Sequence, residues 1–127
     1  LFGFVHWLNP HHTWISTMNT MLIGVGFCIA YIRTRGLWVP IGLHFSWNLS
    51  QGFIFGIPVS GYDLPLSLVR IKVKGPEYLT GGAYGIEGSL IATVVILLLL
   101  AYLKNSKRFY LEEDMKVLLG GEDSSIK

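Results

Sequence analysis

The most constraining feature of the sequence is a pair of polar side chains inside a long apolar run. The run covers about residues 37–56, and His44 and Asn48 stand four residues apart near its middle. Residues four apart lie on the same face of an α-helix, one turn above the other. In a segment long enough to cross a bilayer, two polar groups on one face are costly, so the pattern indicates a functional site.

The composition is typical of a membrane protein. Of the 127 residues, 51% are hydrophobic and 14% are charged, whereas soluble domains carry about 25% charged residues. The formal charge of +2, with no basic stripe between aromatic side chains, argues against a nucleic-acid partner. Cys28 is the single cysteine of the sequence, which excludes an intrachain disulfide and the zinc sites built from paired cysteines.

Turn-forming residues divide the chain into apolar segments. Asn9-Pro10 ends the first segment, a turn at residues 33–36 ends the second, and repeated prolines and glycines interrupt a long loop. The pattern predicts an all-α, polytopic transmembrane helix bundle, containing the end of one helix and about three further membrane helices. The expected helices cover about residues 1–9, 14–32, 37–56 and 88–103, and an extramembrane loop with a short strand or interfacial helix covers 57–87.

The first residues of the chain and its basic residues predict that it is part of a longer protein and how it is oriented in the membrane. Because the sequence starts with Leu1 inside an apolar segment, we interpret it as the C-terminal part of a longer protein. Residues 1–103 are expected to belong to the membrane domain, and residues 104–127 to a cytoplasmic juxtamembrane segment and tail. The positive-inside rule supports this orientation. The other loop holds three basic residues, whereas the predicted cytoplasmic side holds five: Arg33, Arg35, Lys104, Lys107 and Arg108.

Small residues predict where helices approach each other closely. Thr20, Gly24 and Cys28 form a stripe at four-residue spacing on the second helix, and Gly52-x-x-x-Gly56 lies at the end of the third. Such stripes let two membrane helices pack with short separation.

Three polar residues are candidates for chemistry. His44 and Asn48 either hydrogen-bond across helices, or act as an oxyanion clamp or a pair of metal ligands, since imidazole N–H and carboxamide N–H₂ groups are donors. His6 either caps the end of its helix, or serves as a general base or metal ligand. Two further residues are less strongly indicated as functional. Glu87 either is favoured by the helix dipole at the start of the last helix or orients a neighbour in the site. Asn19 is expected to contact another helix.

The three candidate residues lie in two motifs that resemble those of a known family. Phe2-x-x-x-His6, followed by His44-x-x-x-Asn48, resembles the second and third motifs of the CPBP intramembrane proteases, also called the Abi or CAAX-protease-like family. That family is related to the type II CAAX prenyl endopeptidases. Residues 37–40 (LWVP) and 80–88 (TGGAYGIEG) are also similar to bacterial members. The resemblance covers about residues 1–102.

The resemblance implies a multi-pass enzyme of the bacterial cell membrane that cuts a membrane-associated protein or peptide. A glutamate of the first family motif, EExxxR, would activate water together with His6, and His44 and Asn48 would stabilise the oxyanion. The older metalloprotease description makes His6 and His44 ligands of a divalent metal such as zinc. EExxxR is absent from these residues, and Glu112-Glu113 does not match it, so we expect the chain alone to be inactive.

Two other functions fit the same pattern. One is a non-catalytic membrane interaction protein, for example one that acts in bacteriocin self-immunity, a role attached to the same family. The other is a transporter or proton-relay subunit in which the histidines transfer protons.

Overall fold

The computed structural model describes residues 2–106, which are largely helical and contain no β-strand. The elements follow one another as α1 (Phe2–His6), α2 (Trp14–Thr34), α3 (Trp38–Asn48), a π-helical segment (Leu49–Ile54), α4 (Glu77–Thr80), two 3₁₀ turns (Gly82–Tyr84 and Ile86–Gly88) and α5 (Leu90–Asn105). The predicted helical class is confirmed for this part of the chain. The predicted tail, including Lys107, Arg108 and Glu112-Glu113, lies outside the described residues.

The longest helix, α2, has a well-defined start and end. Thr13 and Ser16 form a reciprocal capping box, in which each side-chain oxygen accepts a hydrogen bond from the other residue's backbone N–H, at 3.1 and 2.7 Å. Arg35 ends the helix in the left-handed conformation at φ 48°. Its 21 residues span about 31 Å at 1.5 Å each. Among the described helices, α2 alone is both long and apolar enough to cross a membrane; α5 is shorter but apolar.

The third predicted helix differs from the expectation. It was predicted over residues 37–56, whereas α3 ends at Asn48 and the chain continues as a π-helix to Ile54. The loop accounts for where this segment ends, because its backbone N–H groups bond to the last carbonyls: Leu68 to Phe53 at 2.8 Å, and Val69 to Ile54 at 2.9 Å. Carbonyls held by another segment are no longer tied to the regular helical ladder.

Gly52 and Gly56, at the end of the π-helix, have separate roles. A Cβ on Gly52 would lie 2.5 Å from a methyl carbon of Leu64, so the close neighbour is the loop rather than another helix. Gly56 has φ 60° and stands at the turn that follows the π-helix. Of the two alternatives predicted for residues 57–87, no strand forms, since Val59 and Tyr62 make only an isolated bridge, and a short helix does form, as α4. Its location at the membrane interface stays a prediction.

Helices α2 and α5 lie side by side and run in the same direction. Near their starts Asn19 bonds to Ser89, and near their ends the Arg33 guanidinium donates to the carbonyls of Lys104 and Ser106, at 3.0 and 2.6 Å. The basic ends of both helices therefore lie at the same end of the bundle, as predicted. Their cytoplasmic location stays a prediction.

The short helix α1 packs against α2 through small residues. A Cβ on Gly24 would lie 3.3 Å from Phe2, and one on Gly3 would collide with Met21. The predicted small-residue stripe is thus used at Gly24, whereas Cys28 is exposed.

The described residues bury several polar side chains and expose many large apolar ones. Large apolar side chains cover the outside of every long helix, with Trp38 85% exposed and Leu98 65% exposed. Soluble proteins show the opposite arrangement. Apart from glycine and proline, six buried residues are polar: Ser16, Thr17, Asn19, Thr20, Gln51 and Ser89. Five are apolar: Ala30, Ile57, Tyr84, Ala92 and Leu103.

Candidate functional site

A cavity of about 450 Å³ opens between α2, α3, α5 and the 3₁₀ turns. Its walls are mostly apolar, with contributions such as Phe27, Leu43 and Ile91. A few polar side chains share this lining: Asn19, Thr20, His44, Asn48, Ser60, Lys74, Thr80 and Glu87. A mostly apolar cavity with few polar groups is the usual form of a ligand site.

His44 and Asn48 line this cavity from neighbouring turns of α3, as their spacing predicted. The His44 ring stacks on Phe27 at a centroid distance of 5.6 Å and meets the edge of Phe2 at the same distance. Both polar side chains are half-buried. Within residues 2–106 neither side chain forms a hydrogen bond, so both retain their donors for a group that enters the cavity.

His6 is held in one tautomer by its own helix. Its Nδ1 lies 2.8 Å from the carbonyl oxygen of Phe2, and since a carbonyl only accepts, Nδ1 carries the proton and donates it. The Nε2 atom of the neutral ring is then unprotonated and able to accept a proton or bind a metal.

The structure connects His6 to His44 through Phe2 rather than directly. The Phe2 ring centroid lies 4.5 Å from that of His6 and 5.6 Å from that of His44. Phe2 lines the cavity, but His6 is not part of the lining. Between residues 2 and 106, no three His, Cys, Asp or Glu side chains lie close enough together to hold a metal ion.

Glu87 is a cavity residue whose contacts the sequence pattern did not specify. One carboxylate oxygen accepts a hydrogen bond from the Trp47 indole N–H at 2.9 Å, and the other accepts one from the Ser60 hydroxyl. Glu87 was assigned mainly to the start of the last helix, but Ser89 caps that helix by accepting from the Ala92 N–H. The signal that pointed to Glu87 was its position as an acidic residue at the start of the last apolar helix.

Asn19 contacts the backbone of the turn that carries Glu87. It is 1% exposed, and its Nδ2 donates to the carbonyl oxygens of Glu87 and Ser89 at 2.8 and 2.9 Å. Its Oδ1 accepts from the Thr93 hydroxyl at 2.7 Å. Asn19 therefore joins α2 to α5, in agreement with its prediction as a helix-contact residue.

Glycines allow the turn that carries Glu87 to form. Gly85 has φ 105°, and a Cβ there would lie 2.0 Å from the Pro58 carbonyl oxygen. Gly81 has φ 80°, and a Cβ there would meet the Gly85 carbonyl at 1.8 Å. Both positions combine a left-handed backbone with a close approach that only glycine accommodates.

The first part of the chain matches a family model. No curated protein and no solved structure gives a significant match. Residues 1–50 match the Rce1-like family, described as type II CAAX prenyl endopeptidase Rce1-like. The matched residues contain both motifs and end two residues after Asn48. Over residues 1–50 the chain is therefore similar to the Rce1-like type II CAAX prenyl endopeptidases, and the resemblance drawn from its motifs is confirmed.

Proposed function

We propose that this chain belongs to an intramembrane endopeptidase of the CAAX prenyl protease-like type, which hydrolyses a peptide bond at or within the membrane. The observation that carries the proposal is the donor pair of His44 and Asn48. Both side chains line an apolar cavity, neither is bonded to another described residue, and both lie in the segment that matches the family.

The proposed setting is a multi-pass helix bundle in a bacterial cell membrane, where lipid covers the outer faces of α2, α3 and α5. Its support is the reversed polarity, because buried polar groups such as Asn19 and Gln51 coexist with exposed apolar ones such as Trp38. Without water, helices associate through small residues and hydrogen bonds, as α1, α2 and α5 do here.

The proposed role of His44 and Asn48 is to stabilise the oxyanion. Attack on a peptide carbonyl places negative charge on its oxygen, and a ring N–H of His44 and the N–H₂ group of Asn48 can donate to it. The apolar cavity strengthens such bonds because it lowers the local dielectric constant. One donor of this kind contributes roughly 10²–10³-fold to kcat.

The proposed role of His6 is to help activate the attacking water. The Phe2 carbonyl fixes the proton on Nδ1, which leaves Nε2 as the basic atom. In the family that the motifs resemble, a glutamate of EExxxR acts with this histidine. These residues contain no such motif, so the activity is assigned to the full-length gene product and not to the chain alone.

A zinc ion bound by His6 and His44 is the alternative chemistry. Catalytic zinc takes three protein ligands and a water molecule, and the residues near these two imidazoles supply no third ligand within the described part of the chain. The glutamate of EExxxR could supply that ligand as readily as it could activate water, so its absence from these residues favours neither chemistry. We propose the metal-free reaction because His6 contacts His44 only through the Phe2 ring and does not line the cavity. Treatment with a chelator distinguishes the two.

The proposed partners are membrane lipid and a membrane-associated protein or peptide substrate. The cavity is wide enough for part of an apolar chain, but its lining does not distinguish a prenyl group from apolar side chains. The assay therefore compares a peptide ending in a prenylated cysteine motif with the same peptide without the prenyl group.

Variants of the full-length protein in proteoliposomes test the proposal. Asn48→Asp keeps the shape and removes the donors, and His44→Ala removes the imidazole; each is expected to lower kcat by 10²-fold or more. Asn105→Asp and His12→Gln, at exposed positions away from the cavity, are the matched controls and should cleave normally. If folded His44→Ala protein cleaves as the wild type does, the catalytic proposal is wrong and a non-catalytic interaction role replaces it.

A further inference from the structure

We propose that Glu87 is a positioning residue, which holds the helix bearing His44 and Asn48 in place relative to the segment bearing His6. Its predicted effect on cleavage rests on the proposed function, whereas its contacts do not. A series of hydrogen bonds runs through Glu87 from α2 to α3 and α1.

The backbone of Glu87 is held by hydrogen bonds from α2. Asn19 donates to the carbonyl oxygens of Glu87 and Ser89, and the Thr93 hydroxyl fixes the orientation of the Asn19 carboxamide. Asn19 is buried, so water does not compete for these bonds. The turn is thereby fixed to α2 and α5, and the Glu87 side chain extends from a rigid base.

The first carboxylate oxygen fixes the position of α3. It accepts from the indole N–H of Trp47, which lies between His44 and Asn48 in the sequence and lines the same cavity. A bond at this position resists rotation of α3 about its axis. Such a rotation would carry the His44 and Asn48 donors away from the cavity.

The second carboxylate oxygen connects to α1. It accepts from the Ser60 hydroxyl, and the Ser60 carbonyl accepts from the Asn9 side chain at 3.1 Å. The Asn9 backbone N–H in turn bonds to the carbonyl of His6, also at 3.1 Å. Glu87 is thus the point where the hydrogen bonds from both histidine-bearing segments meet.

This role needs two hydrogen-bonding atoms and not a negative charge. Glutamine offers an oxygen to Trp47 and an N–H to Ser60, whose hydroxyl can accept as well as donate. Leucine has a similar volume and offers neither. Comparing Glu87→Gln with Glu87→Leu therefore separates a positioning role from a role as a base or metal ligand.

The expected kinetics follow from this difference. In the full-length protein, Glu87→Leu should lower kcat by about 10- to 100-fold with little change in KM, since a displacement of about 1 Å can cost 10²-fold. Glu87→Gln should stay within about threefold of wild type. Trp47→Phe should lower kcat as well, and combining it with Glu87→Leu should add little, because both changes break the same bond.

Matched controls are available on the same elements. Glu77→Leu changes an exposed carboxylate in the same loop, and Trp38→Phe changes an exposed indole on α3; neither residue lines the cavity, and both variants should cleave normally. If Glu87→Gln is as inactive as Glu87→Leu, the charge itself is needed and the positioning role is refuted.

A second measurement does not depend on activity. In ¹⁵N-tryptophan-labelled protein, the Trp47 indole resonance, assigned by its loss in Trp47→Phe, should shift upfield in Glu87→Leu and stay close to wild type in Glu87→Gln and Glu77→Leu. An unchanged resonance in Glu87→Leu overturns the inference. If the resonance shifts but the wild-type protein cleaves no peptide, the contact stands and the proposed function fails.

Discussion

Removal of the Asn19 carboxamide should cause one of the largest losses of stability in the described part of the chain. The Asn19→Ala substitution deletes three hydrogen bonds: two that Nδ2 donates and one that Oδ1 accepts. Thr93 can turn its hydroxyl fully to the Ser89 carbonyl, which already lies 3.2 Å away. Glu87 loses the donor that its carbonyl has in the structure, and this acceptor is left unsatisfied.

The magnitude follows from these groups. A hydrogen bond between membrane helices contributes on average about 0.6 kcal/mol, and a buried polar group without a partner costs about 1–3 kcal/mol. Two lost bonds and one unsatisfied carbonyl give a destabilisation of roughly 2–4 kcal/mol for Asn19→Ala. Thr93→Val removes one hydroxyl and leaves the buried Asn19 Oδ1 without its partner, so it should cost about 1–3 kcal/mol.

Reversible unfolding of the full-length protein in mixed micelles, with a denaturing detergent, would measure both variants against wild type. The order of the two losses is as informative as their values, because Asn19→Ala removes more hydrogen bonds and should destabilise more than Thr93→Val. A loss below about 0.5 kcal/mol for Asn19→Ala would refute the reasoning, since it would mean that Asn19 is not buried among these acceptors.

Three further predictions use the same protein. Gly85→Ala should destabilise by more than about 2 kcal/mol in the unfolding assay, because φ 105° and the Pro58 carbonyl both exclude a Cβ, whereas Gly42→Ala, where a Cβ meets nothing within 4 Å, should not destabilise. Ser16→Ala should cost about 1 kcal/mol through loss of the capping box, by the same measurement. EDTA or a stronger chelator should leave peptide cleavage unchanged, and loss of activity that added zinc restores would instead support the metal-bound alternative.

The helices could be predicted from the sequence because their signals are local. The Asn9-Pro10 stop and the capping Thr13 bound α2, and the turn near Arg35 ends it, so the predicted range 14–32 falls within two residues of the observed Trp14–Thr34. The four-residue spacing of His44 and Asn48 placed them on one face of α3 for the same reason, since helical periodicity fixes it.

Features that depend on the long loop could not be predicted from local patterns. The π-helix ends where residues 68, 69 and 71 bond to carbonyls of residues 53–55, and nothing in the segment's own sequence indicates these partners. The contacts of Glu87 likewise depend on Ser60 and Trp47, which lie 27 and 40 residues away. Sequence spacing could place Glu87 near a helix start but could not identify the residues that it meets.

The four-residue spacing of Phe2 and His6 serves two purposes in this structure. Because residues four apart are hydrogen-bonding neighbours in a helix, the Phe2 carbonyl holds the proton of His6 on Nδ1. The same helical turn brings the Phe2 ring against both His6 and His44, on two separate helices. One aromatic ring therefore packs against both imidazoles, which gives a physical reason for a phenylalanine four residues before His6 in this chain.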